Sequence, residues 1–365
     1  NSAASALNLV SFTIVASHLG PESLGILVLC QTYAIVINDL LNVQTWESMI
    51  KFGASKMDDD RINDVVFTNL ILDVASAVVA TTAALLLAWP TAQLLGWTES
   101  VPIGDLLVDY LSIYSITILF NITTFTIGIP RLFRKFMSVA LVSFFLALLR
   151  LGMVVAAVFI FSDLLSFVLI FAAIEVLRGI ALTTLSLSLL NTHSGSGWWR
   201  RRLTIDWDQI RFIWWTNLRT IIRIPVRHFD MVIVSVVMSV ATLGIYRVYK
   251  EIASLISRIG DPVNQAIFPE FSELIGQEDS RKSIDITKKT MTLLLGVGAS
   301  ICLGLYLTSD LIVSTFFGEE YMAEIAALYL LLLFYTISFV TIPINSLFIA
   351  AGFAKYSFLI LLFTN

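Results

Sequence analysis

Apolar runs of about 20 to 30 residues alternate along this chain with short segments that hold most of its charges and turn-forming residues. Runs of that length suit helices that cross a bilayer; strands of a membrane barrel need only about ten residues in strict alternation. The pattern predicts a first helix ending near residue 18, then helices over 24–51, 63–88, 106–127, 136–161 and 164–190. After a polar stretch at 191–211 come helices over 212–240, 243–271, 287–307 and 322–350, with an eleventh starting at Tyr356. A twelfth is expected and missing, and the chain begins at Asn1 without a methionine, so it reads as a fragment. No cleavable signal peptide is recognisable at its start.

Composition decides the solvent. The chain is 57% hydrophobic and 14% charged, with a mean hydropathy of +0.86, and a soluble domain of this size does not carry such a surface. Lipid must cover most of it, and a bilayer admits only helices or closed barrels because it offers backbone groups no water. The fold class is therefore all-α and polytopic.

Charge gives the orientation. With the connections numbered in order, the even ones hold fifteen Lys and Arg, among them Lys51, Arg131, Arg134, Lys135, Arg211 and Lys288, and the odd ones hold none. Acids such as Glu22, Glu99, Asp163, Asp310 and Glu319 populate the odd side. By the positive-inside rule the even loops and the N-terminus are cytoplasmic. The external loops are short, so function is expected within the membrane. Cys30 and Cys302 lie in apolar runs, and His18, His193 and His228 have no ligand spacing; neither a disulfide framework nor a metal site is expected.

An internal likeness suggests how the helices are organised. The turn between helices one and two contains Leu24-Gly25-Ile26, and that between helices seven and eight contains Leu243-Gly244-Ile245, both on the external side after an inside-to-outside helix. Two parallel six-helix repeats follow, with about eleven of twelve helices present: an N-terminal lobe over 1–190, a cytoplasmic linker over 191–211 and a truncated C-terminal lobe over 212–365.

Eight basic residues fall inside predicted spans, where a charge costs about 2.5 to 3.5 kcal/mol and normally faces a bundle interior or a wet cavity. Arg219, Arg223 and Arg227, four apart, make one stripe on helix seven; Arg247, Lys250 and Arg258 lie on one face of helix eight. Guanidinium forks suit phosphate oxygens, so these six are the candidate substrate-binding residues for a pyrophosphate-linked ligand. The plainer alternative is pairing with Glu175, Asp230 or Glu251 inside the bundle, and Arg150 is expected to partner Glu175. Asp39 and Asp230 are the candidate ion-coupling acids, with Asp73 and Glu47 behind them, for a proton or sodium ion. Pro225, Pro262, Pro269 and Pro343 are candidate kinks.

Several loose motifs in order carry a family likeness: Leu19-Gly20-Pro21-Glu22-Ser23-Leu24-Gly25, Trp46-Glu47-Ser48-Met49, Arg227-His228-Phe229-Asp230, Asp261-Pro262, Phe268-Pro269-Glu270 and Phe317-Gly318-Glu319-Glu320-Tyr321. In these the chain resembles the polysaccharide transporters, or O-antigen and lipid-linked oligosaccharide flippases, of the multidrug/oligosaccharidyl-lipid/polysaccharide exporter superfamily. That resemblance implies two six-helix lobes around a central cavity in a bacterial or archaeal inner (plasma) membrane. It implies that an undecaprenyl-pyrophosphate-linked oligosaccharide is moved to the outer leaflet by alternating access, without ATP or another cofactor, in the company of polysaccharide assembly proteins; nucleic acid is not an expected partner. A multidrug or cation antiporter is the alternative on the same fold and would favour acids over arginines. An enzyme acting on lipid-linked sugars would want a large external loop, which this chain lacks.

Overall fold

The computed structural model describes residues 2–54, 59–95, 104–161, 163–193, 206–276 and 280–350. Among these residues the secondary structure is entirely helical, in twelve α-helices with short 3-10 and π segments. They divide into two compact units, Asn1–Val240 and Ala241–Asn365. Among the described residues, six helices are long and apolar enough to cross a membrane, or seven when the bent pair Leu106–Phe120 and Thr124–Leu132, meeting at 57°, counts as one span.

In the first unit, α1 (Ser2–Leu41) is two helices merged across a break at Gly20, whose φ of 72° and ψ of 172° lie outside helical space; Pro21 follows. Glycine accepts that φ without a Cβ clash, and proline has no N–H to leave unpaired, so the pair ends the first predicted helix where the sequence places its turn. α2 (Trp46–Ala54) and α3 (Asp59–Leu94) follow, then α4 (Gly104–Ser115) running into a 3-10 turn at Ile116–Phe120, a π segment at Thr124–Gly128 and the single turn α5 (Ile129–Leu132). α6 (Phe136–Ile160), α7 (Leu164–His193) and α8 (Trp207–Val237) complete the unit.

One expectation needs correction. The helices predicted over 24–51 and 106–127 are each interrupted, at Asn42–Thr45 and around Asn121–Thr123. Neither break contains proline or glycine; side chains that bind the freed backbone groups hold both open. The seventh helix, placed in the second lobe by sequence, packs on α1 and α2 as α8 and falls within the first compact unit.

The spans sort their surfaces as lipid requires. On α3, Ala77, Ala80, Ala84 and Ala88 are fully buried, while Val79, Leu86 and Trp89 are well exposed. A seam of alanines lets helix backbones approach closely, and no loss of hydrophobic effect attends an apolar side chain facing lipid. The Tyr33 hydroxyl of α1 donates to the Ala84 carbonyl across this seam. At the other end, Met49, Val65, Val66, Phe125, Ile129 and Leu190 pack α2, α3, the π segment, α5 and α7 into one apolar cluster.

The second unit contains α9 (Val240–Gly276, its first residue closing the first unit), α10 (Ser280–Phe316), a 3-10 turn at Glu319–Met322, α11 (Ile325–Val340) and α12 (Ile342–Ala350). The predicted tenth helix is broken between α11 and α12, two residues before Pro343, as expected of proline. α8 and α9 run as unbroken helix through Pro225, Pro262 and Pro269, whose side chains lie outside the description. In the turn before α11, Tyr321 is 1% exposed and its carbonyl accepts the Tyr249 hydroxyl. Burial first, and Glu320 second, hold the Tyr321 phenol above its usual range, so it stays neutral.

α8 and α9, at 31 and 37 residues, are long enough to span. Their charge keeps them off the set of apolar spans, apart from the short apolar stretch His228–Val237. A spanning helix of this kind must turn its polar face to protein or to a wet cavity. Trp214 and Trp215 on α8 are exposed, as aromatic side chains at a membrane interface often are.

Close approach at Gly25 gives a direct test of this packing. A Cβ there would overlap the carbonyl of Val240, a backbone atom that cannot swing aside. Gly25→Val should lower stability by about 1–3 kcal/mol or more through overpacking. Gly152→Ala, which meets nothing within 4 Å, should leave stability equal or slightly raised. Thermal unfolding of the two purified variants, read by size-exclusion survival, checks both.

Candidate functional site

The two helix breaks meet around α3. Along that helix Asn69, Asp73 and Ser76 are all buried, and their spacing of four and three places them on one stripe. Asp73, 0% exposed, is the centre. Its carboxylate accepts the Thr45 hydroxyl at 2.6 Å, the Thr123 hydroxyl at 3.2 Å and the backbone N–H of Thr124 at 2.6 Å. The hydroxyls of Thr45 and Thr124 are themselves 2.6 Å apart. One side chain therefore ties the first break to the second.

The first break is satisfied group by group. Its N–H groups at Val43, Gln44 and Thr45 donate to the Ser76 hydroxyl (3.0 Å), the Asn217 amide oxygen (2.7 Å) and the Thr123 hydroxyl (3.1 Å). Those acceptors come from α3, α8 and the second break. An asparagine cluster extends the network: Asn42 donates to Asn38 at 3.0 Å and to the Asn121 carbonyl at 3.1 Å, and Asn121 donates to Asn38 at 3.1 Å. In a bilayer each unpaired backbone group costs several kcal/mol, so interrupted helices persist only with such substitutes. Discontinuous helices are also where transporters of several folds place substrate and ion sites.

Asp39, the sequence candidate for ion coupling, lies at the edge of this network. It accepts from Asn38 at 3.2 Å and from the Gln44 side chain at 3.5 Å, and its Oδ2 is 3.5 Å from Nε2 of His228 on α8. α8 is further held by Gln209, which donates to Asn69 at 2.7 Å, and by Phe212, whose ring lies 4.0 Å beneath the Lys51 ammonium. Positions 209, 213, 217 and 228 share one face of α8. Asp230, the second coupling candidate, is partly buried on α8 about 160° around from His228, and the structure does not bring it into the Asp39 contacts described here.

Of the six basic candidates, Arg219, Arg223 and Arg227 have side chains outside the description; their backbone positions form a stripe centred about a quarter-turn around α8 from that contact face. On α9, Glu251 sits between Arg247, at 3.4 Å, and Arg258, which hydrogen-bonds it directly. The expected i,i+4 pairing of Arg247 is thus present, and it takes Arg258 with it. Lys250 is partly buried beside them. Glu175 pairs with Arg178 at 2.7 Å, while the Arg150 guanidinium lies 5.2 Å from the centre of the Phe171 ring.

A cavity of about 440 Å³ between α10 and α11 is lined almost wholly by apolar atoms, including Leu295, Leu303 and Leu332. Such a lining cannot hold a pyrophosphate. Among the described residues no group of His, Cys, Asp and Glu could hold a metal ion.

Sequence reasoning missed Thr45, Thr123 and Thr124, ranked Asp73 below Asp39, and gave His228 no role. Removing Asp73 should be severe. Asp73→Ala leaves the Thr45 and Thr123 hydroxyls and the Thr124 N–H without their acceptor, at about 1–3 kcal/mol for each buried group. Hydrogen exchange at 43–45 and 124 should accelerate by orders of magnitude, whereas Thr117→Val, at a hydroxyl that bonds only to its own helix, should leave those amides unchanged.

The comparisons agree with this architecture. The model of a family described as "Polysaccharide biosynthesis protein" matches residues 14–326. The inner membrane protein YghQ of Escherichia coli (strain K12) is 22% identical over 333 residues, covering 87% of this chain and 89% of that protein. Among solved structures, an inward-facing multidrug resistance MATE family transporter of the MOP superfamily superposes with a TM-score of 0.71 at 17% identity, covering 98% of this chain and 83% of that one. The crystal structure of a MATE point mutant superposes with a TM-score of 0.58, also at 17% identity, covering 98% and 81%. The all-helical, two-lobed MATE fold and a family match over most of the length bear out the resemblance read from the motifs: the chain belongs to the polysaccharide biosynthesis protein family.

Proposed function

We infer that this protein is a secondary transporter that flips a lipid-pyrophosphate-linked oligosaccharide from the cytoplasmic to the outer leaflet of the inner membrane, for assembly of a surface polysaccharide. The family match over 14–326 carries this reading. The arginine positions of α8 support it: on an unbroken helix, positions 219, 223 and 227 fall along one face, and arginine suits the charge and planar geometry of a pyrophosphate. The positive-inside count supports an orientation with the N-terminus and the Lys/Arg-rich connections in the cytoplasm, where the lipid-linked sugar is made.

The multidrug transporter among the structural neighbours favours a second reading, an antiporter for organic cations. Charge weighs against it, because a cationic cargo would meet a helix dense in arginine.

Surface polysaccharide measured in a host depleted of its own flippase separates the two, with membrane abundance matched. The wild-type protein should restore polysaccharide. Arg223→Ala should reduce it at least about tenfold, and Arg223→Lys should recover only part, since a point charge replaces a bidentate fork. Rescue by all three would remove the arginine stripe from the mechanism; no rescue together with efflux of cationic dyes would favour the antiporter.

A further inference from the structure

We propose that the groove between α10 and α11 holds one acyl chain of a phospholipid with an ammonium headgroup, and that Asp310 at its mouth receives the ammonium. The site lies wholly within the second unit. Its occupant is a lipid of the surrounding bilayer and not the cargo, so the proposal goes beyond the transporter reading above.

The groove has the dimensions of a chain. Its volume is about 440 Å³, and its lining on α10 runs from Leu295 to Tyr306, which at 1.5 Å per residue is about 16 Å. One leaflet of a bilayer has a similar depth, since the whole hydrocarbon core measures roughly 30 Å. Both flanking helices belong to apolar spans, and Leu295, Leu303 and Leu333 of the lining are exposed. What meets this surface in a membrane is therefore lipid. A gap between apolar walls forfeits dispersion contacts that a chain lying in it recovers, and a concave wall offers that chain more contacts than the convex flank of a single helix.

Charge selects the headgroup. Tyr306 and Tyr329 stand together at one end of the groove, with ring centres 4.7 Å apart. The Tyr329 hydroxyl donates to Oδ1 of Asp310 at 3.4 Å, and Asp310 is exposed one turn beyond Tyr306. Between Lys289 and Lys355 the sequence contains Asp310, Glu319, Glu320 and Glu324 and no Lys, Arg or His. The three glutamates lie in the connection from α10 to α11 and are exposed like Asp310. This end of the groove is thus negative throughout. It repels an anionic headgroup, whereas an ammonium gains a charge-assisted hydrogen bond to a carboxylate. In the positive-inside orientation this end faces outward, which makes the occupant a lipid of the outer leaflet.

Photo-crosslinking of the purified protein in nanodiscs tests the site. Phosphatidylethanolamine and phosphatidylglycerol bearing the same diazirine-labelled acyl chain are added separately, in equal trace amounts, to one host bilayer, and labelled peptides are mapped by mass spectrometry. Labelling of α6, whose Phe145 and Leu148 are exposed, serves as the measure of ordinary boundary lipid. Relative to α6, the ethanolamine lipid should label 295–306 and 329–341 about threefold to fivefold more than the glycerol lipid, the scale of one exposed ion pair. Asp310→Asn should bring the two lipids level, with the glycerol lipid keeping at least its wild-type labelling, as a misfolded protein would not. Ala299→Phe, which places a ring in the groove, should remove most labelling there and leave that of α6 unchanged. Equal labelling by the two lipids in the wild type, a preference that survives Asp310→Asn, or an unlabelled groove covered by the protein itself overturns the proposal.

Discussion

Three consecutive backbone N–H groups, at Val43, Gln44 and Thr45, have left their helix inside a span, and each must find an acceptor where water is scarce. The molecule supplies them from three directions, and Asp73 makes the solution rigid by binding Thr45, Thr123 and Thr124 at once. A carboxylate suits that position because its two oxygens offer about four acceptor sites and no donor. An amide would turn an N–H₂ toward one of the donors. The second break is stable for the same reason, since the Thr124 N–H at the start of its π segment is capped by the same side chain. The seating of α8 follows from the break, because Asn217 binds a backbone group that an intact helix would have used internally.

The hub also explains how polar and apolar packing share the first unit. On one side the alanine seam of α3 admits α1 closely; on the other, Met49, Val66, Phe125 and Ile129 pack into one apolar cluster. Packing at both ends excludes water and lipid from the middle, which strengthens the hydrogen bonds there and makes any unsatisfied one costly. A polar network of this kind stands or falls as a unit. Links at its margin, such as those reaching α8, are fewer and more exposed, and motion is drawn from such places.

Most of the fold was legible in the sequence because lipid writes a strong signal: long apolar runs, a one-sided distribution of Lys and Arg, and the Gly20-Pro21 turn. Local ion pairs were legible as well, since Glu175 with Arg178 and Arg247 with Glu251 are one helical turn apart. The breaks were not, because proline and glycine are the usual signs of interruption and neither stands at 42–45 or 121–123. In this chain Pro225, Pro262 and Pro269 sit within continuous helix. The sign that was present is density of Asn and Thr: Asn38, Asn42, Thr45, Asn121, Thr123 and Thr124 crowd two short stretches of otherwise apolar span, and such side chains compete with the helix for its backbone. His228 escaped notice because its partner is far away in sequence and no spacing rule connects them.

Basic residues in the two long charged helices then differ in what they can offer an anion. On α9 the carboxylate of Glu251 already receives Arg247 and Arg258, so much of that charge is spent within the helix. On α8 the acids nearest the stripe are Asp230, which shares its side, and Asp208, about three turns before Arg219. The contact face toward α1 and the arginine positions lie about a quarter-turn apart on one cylinder. An α-helix is stiff about its own axis, so a shift or rotation imposed at the α1 contact is carried to Arg227, one residue away, and to Arg223 and Arg219 over the next two turns. A helix held by polar links along one face and bearing arginine positions along the next has both on a single stiff backbone.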